Sequence, residues 1–145
     1  GRVTQTIELH PDRATTTLTI ESTGRTFPAE LGWHPWFRKP DRLEFSPTAM
    51  YERDEFGIPT GALVDPTEGP WDDCFLNAEP VVLHYDRAVA RSVRVDSDCD
   101  HWVVYDMPAH STCVEPQSGP PDAFNLEPHV VDPNTPLRRT MTISW

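Results

Sequence analysis

The sequence predicts an all-β fold with the architecture of a sandwich or a barrel, and residues 1–145 are expected to form a single region. Short β-prone runs recur along the chain, whereas no long stretch shows a clean apolar period of 3.6 residues. The chain also contains 16 prolines, roughly twice the number expected at their usual frequency of about 5%. Because proline blocks helix interiors, this composition favours short strands joined by turns.

The first half of the chain predicts a hairpin, a short strand and a loop. Residues 3–9 and 15–21 are rich in threonine and carry alternating apolar side chains, and the turn-type residues 10–13 lie between them. Residues 42–46 predict a further short strand. Residues 55–70 are rich in glycine, proline and aspartate, and they predict a loop.

The second half of the chain predicts five more strands and one long connection. The strand candidates are residues 80–85, 92–95, 102–105, 112–115 and 137–145. The connection, residues 115–136, holds six prolines and little periodicity, so it is expected to be an ordered loop with a short helical turn at most.

Charge and cysteine content exclude several classes of function. The formal net charge of −11 opposes binding to nucleic acids or anionic membranes. No apolar run approaches the ~20 residues that span a bilayer. The three cysteines form no CxxC pair and the histidines show no metal-ligand spacing, so no metal site is predicted. Reduced thiols and the lack of a recognisable secretory leader suggest a cytoplasmic protein.

The first candidate site is the aromatic segment at residues 32–38. His34 lies there among Trp33, Trp36 and Phe37. An imidazole in this setting can transfer protons near neutral pH, and aromatic faces suit the C–H faces of a sugar ring. The alternative is a core histidine with a satisfied hydrogen bond, packed beside core aromatic residues.

Two carboxylate segments are the other candidates. Asp72 and Asp73 would point to opposite faces of a strand, so only one of them can bind the hydroxyls of a ligand in a given pocket. Glu115 ends a β-prone run before Pro116, where it could act as a general base in a cleft. The alternatives are a solvated turn for the aspartates and a surface acid before a turn for Glu115.

Taken together and in this order, the three segments resemble the aldose 1-epimerase (galactose mutarotase) family. Residues 34–37 (HPWF), 72–75 (DDCF), 113–117 (CVEPQ) and 121–125 (PDAFN) are similar to motifs of that family. The resemblance covers nearly the whole chain, but it corresponds to the C-terminal half of a usual family member. It implies part of a galactose-mutarotase-like large β-sandwich that acts on a small-molecule hexose and uses no cofactor.

The resemblance also implies a role for each candidate residue. Glu115 would be the general base that takes the proton of the anomeric hydroxyl, and His34 would be the general acid that protonates the ring oxygen. Asp72 would hold sugar hydroxyls, with Asp73 as the substitute if the register differs by one. The predicted substrate-binding residues are Asp72, Asp73, Trp36 and Phe37.

The resemblance predicts an incomplete site and leaves alternatives open. Family members also grip the sugar with an arginine and a histidine from their N-terminal half, so this chain is expected to need that half or a partner chain. The alternatives are a non-catalytic carbohydrate-binding module, a hexose-6-phosphate mutarotase relative, and a glycoside hydrolase or lyase-associated β-domain. The last would pair Glu115 with Asp72 or Asp73 at roughly 5–9.5 Å.

Overall fold

The structure is a computed structural model that describes residues 1–86 and 90–145, and its regular secondary structure is almost entirely β-strand. The first seven strands are β1 (Arg2–His10), β2 (Arg13–Glu21), β3 (Phe27–Ala29), β4 (Trp36–Arg38), β5 (Arg42–Glu44), β6 (Ala49–Arg53) and β7 (Pro59–Val64). They are followed by β8 (Asp72–Leu76), β9 (Val81–His84), β10 (Ser92–Ser97), β11 (His101–Tyr105), β12 (Ser111–Gln117), α1 (Ala123–Leu126), β13 (His129–Val131) and β14 (Leu137–Ser144).

Two six-stranded antiparallel sheets form the body of the fold and confirm the all-β prediction. One sheet has the order β1-β2-β14-β10-β9-β5 and the other has the order β4-β12-β11-β8-β6-β7, while β13 and β3 form a small separate pair. The main core lies between the two large sheets. One sheet contributes Leu83, Val95 and Met141, and the other contributes Trp102 and Val114. This is the arrangement of a β-sandwich.

The strongest strand predictions are confirmed because their periodicity reflects burial on one face. β1 and β2 form the predicted hairpin, with His10 opposite Arg13 across a two-residue turn. β9, β10, β11, β12 and β14 all fall on predicted strands. In β11, buried Trp102 and Val104 alternate with partly exposed neighbours, as expected for a strand with one face in the core.

The prediction of a loop over residues 55–70 is wrong, because β7 lies within it. β7 pairs with β6 and forms the edge of its sheet, with Leu63 opposite Tyr51. Edge strands tolerate the proline and glycine that suggested a loop, and Gly61 takes a positive φ of 87° there. Pairing with a neighbouring strand therefore overrides the turn-like composition of this segment.

The proline-rich segment after Glu115 is more ordered than a single loop. β12 continues through Pro116 to Gln117, and the short helix α1 and strand β13 follow. The expectation of a short helical turn is met by α1, which has four residues. No helix in the described ranges is long and apolar enough to cross a membrane.

The edge strand β1 of the first sheet carries apolar side chains that nothing in the described residues covers. Val3, Ile7 and Leu9 of β1 are 67%, 62% and 76% exposed. Ile7 is opposite Thr16 in the hairpin, and Thr16 is opposite buried Met141 on β14. These side chains of β1 therefore lie on the same face of the sheet as Met141. The same face is therefore covered under β14 and uncovered under β1, which leaves an apolar strip at the edge.

Burial of the core predicts a large difference between two leucine variants. Leu83 is fully buried between the sheets, whereas Leu63 on β7 is half-exposed. Leu83→Ala should lower the free energy of unfolding by about 2–5 kcal/mol because it leaves a cavity. Leu63→Ala should lower it by about 0.5 kcal/mol. Urea unfolding followed by tryptophan fluorescence measures both, and equal losses would contradict this placement of the core.

Candidate active site

The candidate site is built on the outer face of β12. Successive side chains of a strand point to opposite faces, so Val114 enters the core while Cys113 and Glu115 point away from it. Glu115 is nevertheless almost buried, with 9% of its side chain exposed. The strand thus holds one carboxyl group in a fixed position just below the surface.

The segment before β4 brings His34 to this carboxyl group. Gly32 forms an isolated bridge with Gln117, and the Trp33 amide donates a hydrogen bond to the Pro116 carbonyl at 3.1 Å. A Cβ atom on Gly32 would lie 2.9 Å from the Gln117 side chain, so the close approach needs glycine. The chain therefore passes His34 over Glu115.

His34 and Glu115 are in direct contact. The His34 Nε2 and Glu115 Oε1 atoms are 3.2 Å apart, and Gln117 donates a hydrogen bond to the other carboxylate oxygen at 3.2 Å. The His34 side chain is 60% exposed, so the histidine is neither buried nor enclosed by aromatic residues. The two groups line an open cavity of about 330 Å³, within the usual range for small-molecule sites. An imidazole and a carboxyl group, two groups that can exchange protons, therefore lie side by side at this cavity.

The second ring nitrogen of His34 is also occupied. Cys113 Sγ lies 3.0 Å from His34 Nδ1 and 3.0 Å from the Pro35 carbonyl oxygen. The imidazole also stacks on Trp36, with ring centroids 5.6 Å apart, and Trp36 meets the edge of Tyr105. The ring of His34 is thus held at both nitrogens and on one face.

The cluster of His34, Cys113 and Glu115 combines hydrogen-bonding groups that are also potential metal ligands. Among the residues that the structure describes, His34, Cys113 and Glu115 form the one group of three close potential metal ligands. The thiol lies beside Nδ1 and the carboxylate beside Nε2, whereas an imidazole gives one nitrogen to an ion. One nitrogen of the ring, the thiol and one carboxylate oxygen lie within 4.8 Å of one another, and the contacts that the structure shows among these groups are hydrogen-bonding ones.

The two aspartates of the second segment point in different directions. In the register of β8 and β11, Asp72 is opposite Tyr105, on the face that carries Glu115, whereas Asp73 is opposite buried Val104. The Asp72 side chain is exposed and lies 3.8 Å from Arg53, whereas the more buried Asp73 forms a closer ion pair with the same arginine at 2.9 Å. Of the two, Asp72 lies on the site face and has the more exposed carboxylate.

The two aromatic residues of β4 also point to opposite faces of the sheet. Trp36 is opposite Cys113 on the site face and is half-exposed. Phe37 is opposite buried Thr112 and packs against the core cluster. The predicted contact between Phe37 and a substrate is therefore corrected to a packing role, since strand alternation turns its ring away from the cavity.

A second cavity of about 430 Å³ adjoins the first, and sequence reasoning missed it. It shares Gly119 and Pro120 with the first cavity. Tyr51 Oη lies 3.0 Å from His101 Nε2, and His101 Nδ1 lies 2.8 Å from Asp100. The adjacent Asp100 and His101 were visible in the sequence, but β6, which positions Tyr51, was not predicted.

All three cysteines are buried free thiols. Burial raises the pKa of Cys74 to about 12 and that of Cys99 to about 11. Burial also raises the pKa of Cys113, and the neighbouring Glu115 adds to this effect. Each thiol therefore keeps its proton near neutral pH.

Comparison with protein families gives one match that covers nearly the whole chain. The family model described as aldose 1-epimerase matches residues 2–144. No curated protein matches the chain.

Solved structures of larger proteins share the fold. A candidate aldose 1-epimerase from Escherichia coli K12 has a TM-score of 0.77 and 16% identity. The match covers 98% of this chain and 59% of that protein. A galactose mutarotase-like protein from Clostridium acetobutylicum has a TM-score of 0.69 and 16% identity, and the match covers 90% of this chain and 51% of that protein. A GalM/aldose epimerase homologue from C. elegans has a TM-score of 0.69 and 12% identity, and the match covers 98% of this chain and 58% of that protein. The chain thus spans 51–59% of the length of these proteins.

Proposed function

Because the chain belongs to the aldose 1-epimerase family, we propose that it carries the catalytic pair for interconverting the α and β anomers of a hexose. The observation that carries the proposal is the contact between His34 and Glu115 in an open cavity. The reaction needs a base at the anomeric hydroxyl and an acid at the ring oxygen. A carboxylate and an imidazole side by side can supply both.

The proposed reaction begins with Glu115 as the base and His34 as the acid. Glu115 takes the proton of the C1 hydroxyl, and the electron pair of that O–H bond forms the aldehyde C=O bond. The bond between C1 and the ring oxygen breaks, and its electron pair accepts a proton from His34. Rotation about C1–C2 then presents the other face of the aldehyde. On ring closure the two residues exchange roles, so each returns to its initial state.

Two further contacts are proposed for the sugar, in addition to those of Glu115 and His34. Glu115 is nearly buried and fixed by Gln117, whereas His34 is exposed enough to reach a bound ring. The half-exposed face of Trp36 next to His34 suits the C–H face of a pyranose. Asp72, on the same sheet face, would accept hydrogen bonds from sugar hydroxyls.

Glycoside hydrolysis by two carboxylates has less support. Along the sheet, Glu115 is opposite Val103 and Val103 is opposite Cys74. Asp72 is therefore separated from Glu115 by two strand spacings of about 4.8 Å each, and it also lies two residues from Cys74 along β8. Glu115 is instead in direct contact with His34, which favours acid–base catalysis by a carboxylate and an imidazole.

Recognition of a phosphorylated hexose or simple sugar binding also has less support. A phosphate group calls for clustered arginines, and the described residues that line the cavity include neither arginine nor lysine. A non-catalytic module would need the exposed Trp36 and Asp72 but not a paired acid and base. The unphosphorylated hexose and the catalytic role are the proposals that the contacts support better.

We also propose that the working protein contains further β-structure that covers the apolar strip of β1. Val3, Ile7 and Leu9 extend a sheet face that is buried elsewhere, and solved structures with the same fold are considerably longer than this chain. Exposed apolar strips of this kind usually mark an interaction surface. The covering structure would also complete the contacts to the sugar.

Substitution of the paired residues should remove catalysis. Glu115→Gln and His34→Asn should each lower kcat by at least about 100-fold, because each removes a proton-transfer group. The measurement is polarimetry of fresh α-D-galactose and α-D-glucose with the active assembly that contains the chain. Glu8→Gln, a matched change on exposed β1, should keep full activity. Wild-type activity in the Glu115→Gln variant would refute the proposal.

The two aspartates should behave differently. Asp72→Asn should raise KM about tenfold with little change in kcat, because it weakens charged hydrogen bonds to hydroxyls worth about 1.5 kcal/mol. Asp73→Asn should lower the melting temperature without changing KM, because it breaks the pair with Arg53. A larger KM effect from Asp73→Asn would assign the sugar contact to Asp73 instead.

The uncovered strip predicts the behaviour of the chain purified alone. The isolated chain should self-associate, as measured by sedimentation velocity. It should also accelerate mutarotation far less than the complete assembly does. Replacing Ile7 and Leu9 by threonine should reduce self-association without loss of the β-sheet circular dichroism signal. A monomeric, fully active chain would show that no further structure is needed.

A further inference from the structure

We propose that Cys113 is a positioning residue that keeps the proton of the His34 imidazole on Nδ1 and so reserves Nε2 for proton exchange. The proposal rests on the proposed function, since it concerns the acid of the same pair. It starts from the contact of one thiol with two groups, His34 Nδ1 and the Pro35 carbonyl oxygen, each at 3.0 Å.

The thiol occupies a fixed position. Cys113 is fully buried, and its backbone pairs with Trp36 on β4 and with Tyr105 on β11. Strand β4 begins directly after Pro35, so the carbonyl group that faces the sulfur is held by the same pairing. The sulfur, the carbonyl oxygen and Nδ1 are thereby kept together by the sheet itself.

The directions of the two hydrogen bonds follow from which groups can donate. A thiol has one proton, and Cys113 keeps it because the site is desolvated. The Pro35 carbonyl can only accept, and it also accepts a longer hydrogen bond of 3.5 Å from the Val114 amide, which leaves its second lone pair for the thiol. When the S–H group donates to Pro35, the sulfur is left with lone pairs only. It can then accept a proton from Nδ1–H of His34.

This arrangement selects one tautomer of the neutral ring. With Nδ1 protonated, Nε2 carries a lone pair in the neutral ring and a proton in the imidazolium. Nε2 is also the nitrogen that faces Glu115 and the cavity. The proton passed to the sugar ring oxygen leaves Nε2, and the electron pair of that N–H bond stays on nitrogen. The same lone pair takes the proton back on closure, while Nδ1–H does not change.

Without the sulfur, the neutral ring could place its proton on Nε2. Such a ring cannot accept a proton at the nitrogen that faces the substrate, so a fraction of the molecules would be inactive. Glu30 lines the same cavity, but it already binds Ser118 and His129 and does not replace the missing acceptor. The tautomer of His34 should therefore depend on residue 113.

The test compares three substitutions of this residue with one matched control. Cys113→Ala and Cys113→Val remove the acceptor, the second without leaving a cavity, whereas Cys113→Ser retains both a donor and an acceptor. Cys99→Ala is the control, because Cys99 is also buried and its hydrogen bonds join it to Ser97 and Trp102, away from the His34–Glu115 pair. The ring nitrogens of His34 are observed by ¹⁵N NMR of the chain and identified by their absence in His34→Asn.

The proposal predicts a change of tautomer and a matching kinetic change. In the wild type, in Cys113→Ser and in Cys99→Ala, the neutral ring should show a protonated Nδ1. In the alanine and valine variants the ¹⁵N shifts should move toward protonated Nε2. For the active assembly, kcat should fall about tenfold with KM unchanged, the size typical of losing an outer hydrogen-bond partner. The pH profile of kcat should also shift, and serine should restore most of the rate.

Two outcomes would overturn the role of Cys113. One is an unchanged Nδ1–H tautomer in both the alanine and the valine variants. The other is a loss of rate in Cys113→Ser as large as in Cys113→Ala, which would indicate a packing role. If the wild type binds no hexose and accelerates no mutarotation, the proposed function fails. The NMR comparison still decides the role of Cys113, because it does not depend on activity.

Discussion

The structure of the site depends on the two-residue alternation of side chains along β12. One face of this strand places Val114 in the core between the sheets, and the other places Cys113 and Glu115 beneath His34. Close packing of the core side chains fixes the strand, and the strand fixes the thiol and the carboxyl group relative to each other. The proposed acid–base pair is therefore positioned by the same packing that folds the sandwich, and of its two residues only His34 comes from outside the strand.

A central strand is a suitable place for such a pair. β12 is bonded to β4 on one side and to β11 on the other, so its backbone cannot shift without breaking two ladders. His34 belongs to an irregular segment, but Gly32 and Trp33 tie that segment to the end of the same strand. A rigid carboxyl group and an exposed imidazole meet as a result.

Much of the fold could be predicted from the sequence, and the misses share one cause. The hairpin and the strands around Leu83 and Trp102 were predictable, because one-sided burial imposes an apolar alternation. β7 was not, because an edge strand is defined by its pairing partner and not by its composition. His34 and Glu115 were predicted from motifs, yet their contact depends on pairing between distant segments. Phe37 was misplaced because a motif does not tell which face a side chain takes.

The buried thiol beside the pair has a consequence for chemical durability. Peroxides oxidise the thiolate form of cysteine, and oxidation to a sulfenic or sulfinic acid would put bulky polar oxygen atoms against the imidazole. Cys113 is closed to solvent and holds its proton, so it offers oxidants neither access nor reactivity. A sulfur atom can therefore lie within hydrogen-bonding distance of the proposed acid–base pair and still be shielded from direct oxidation.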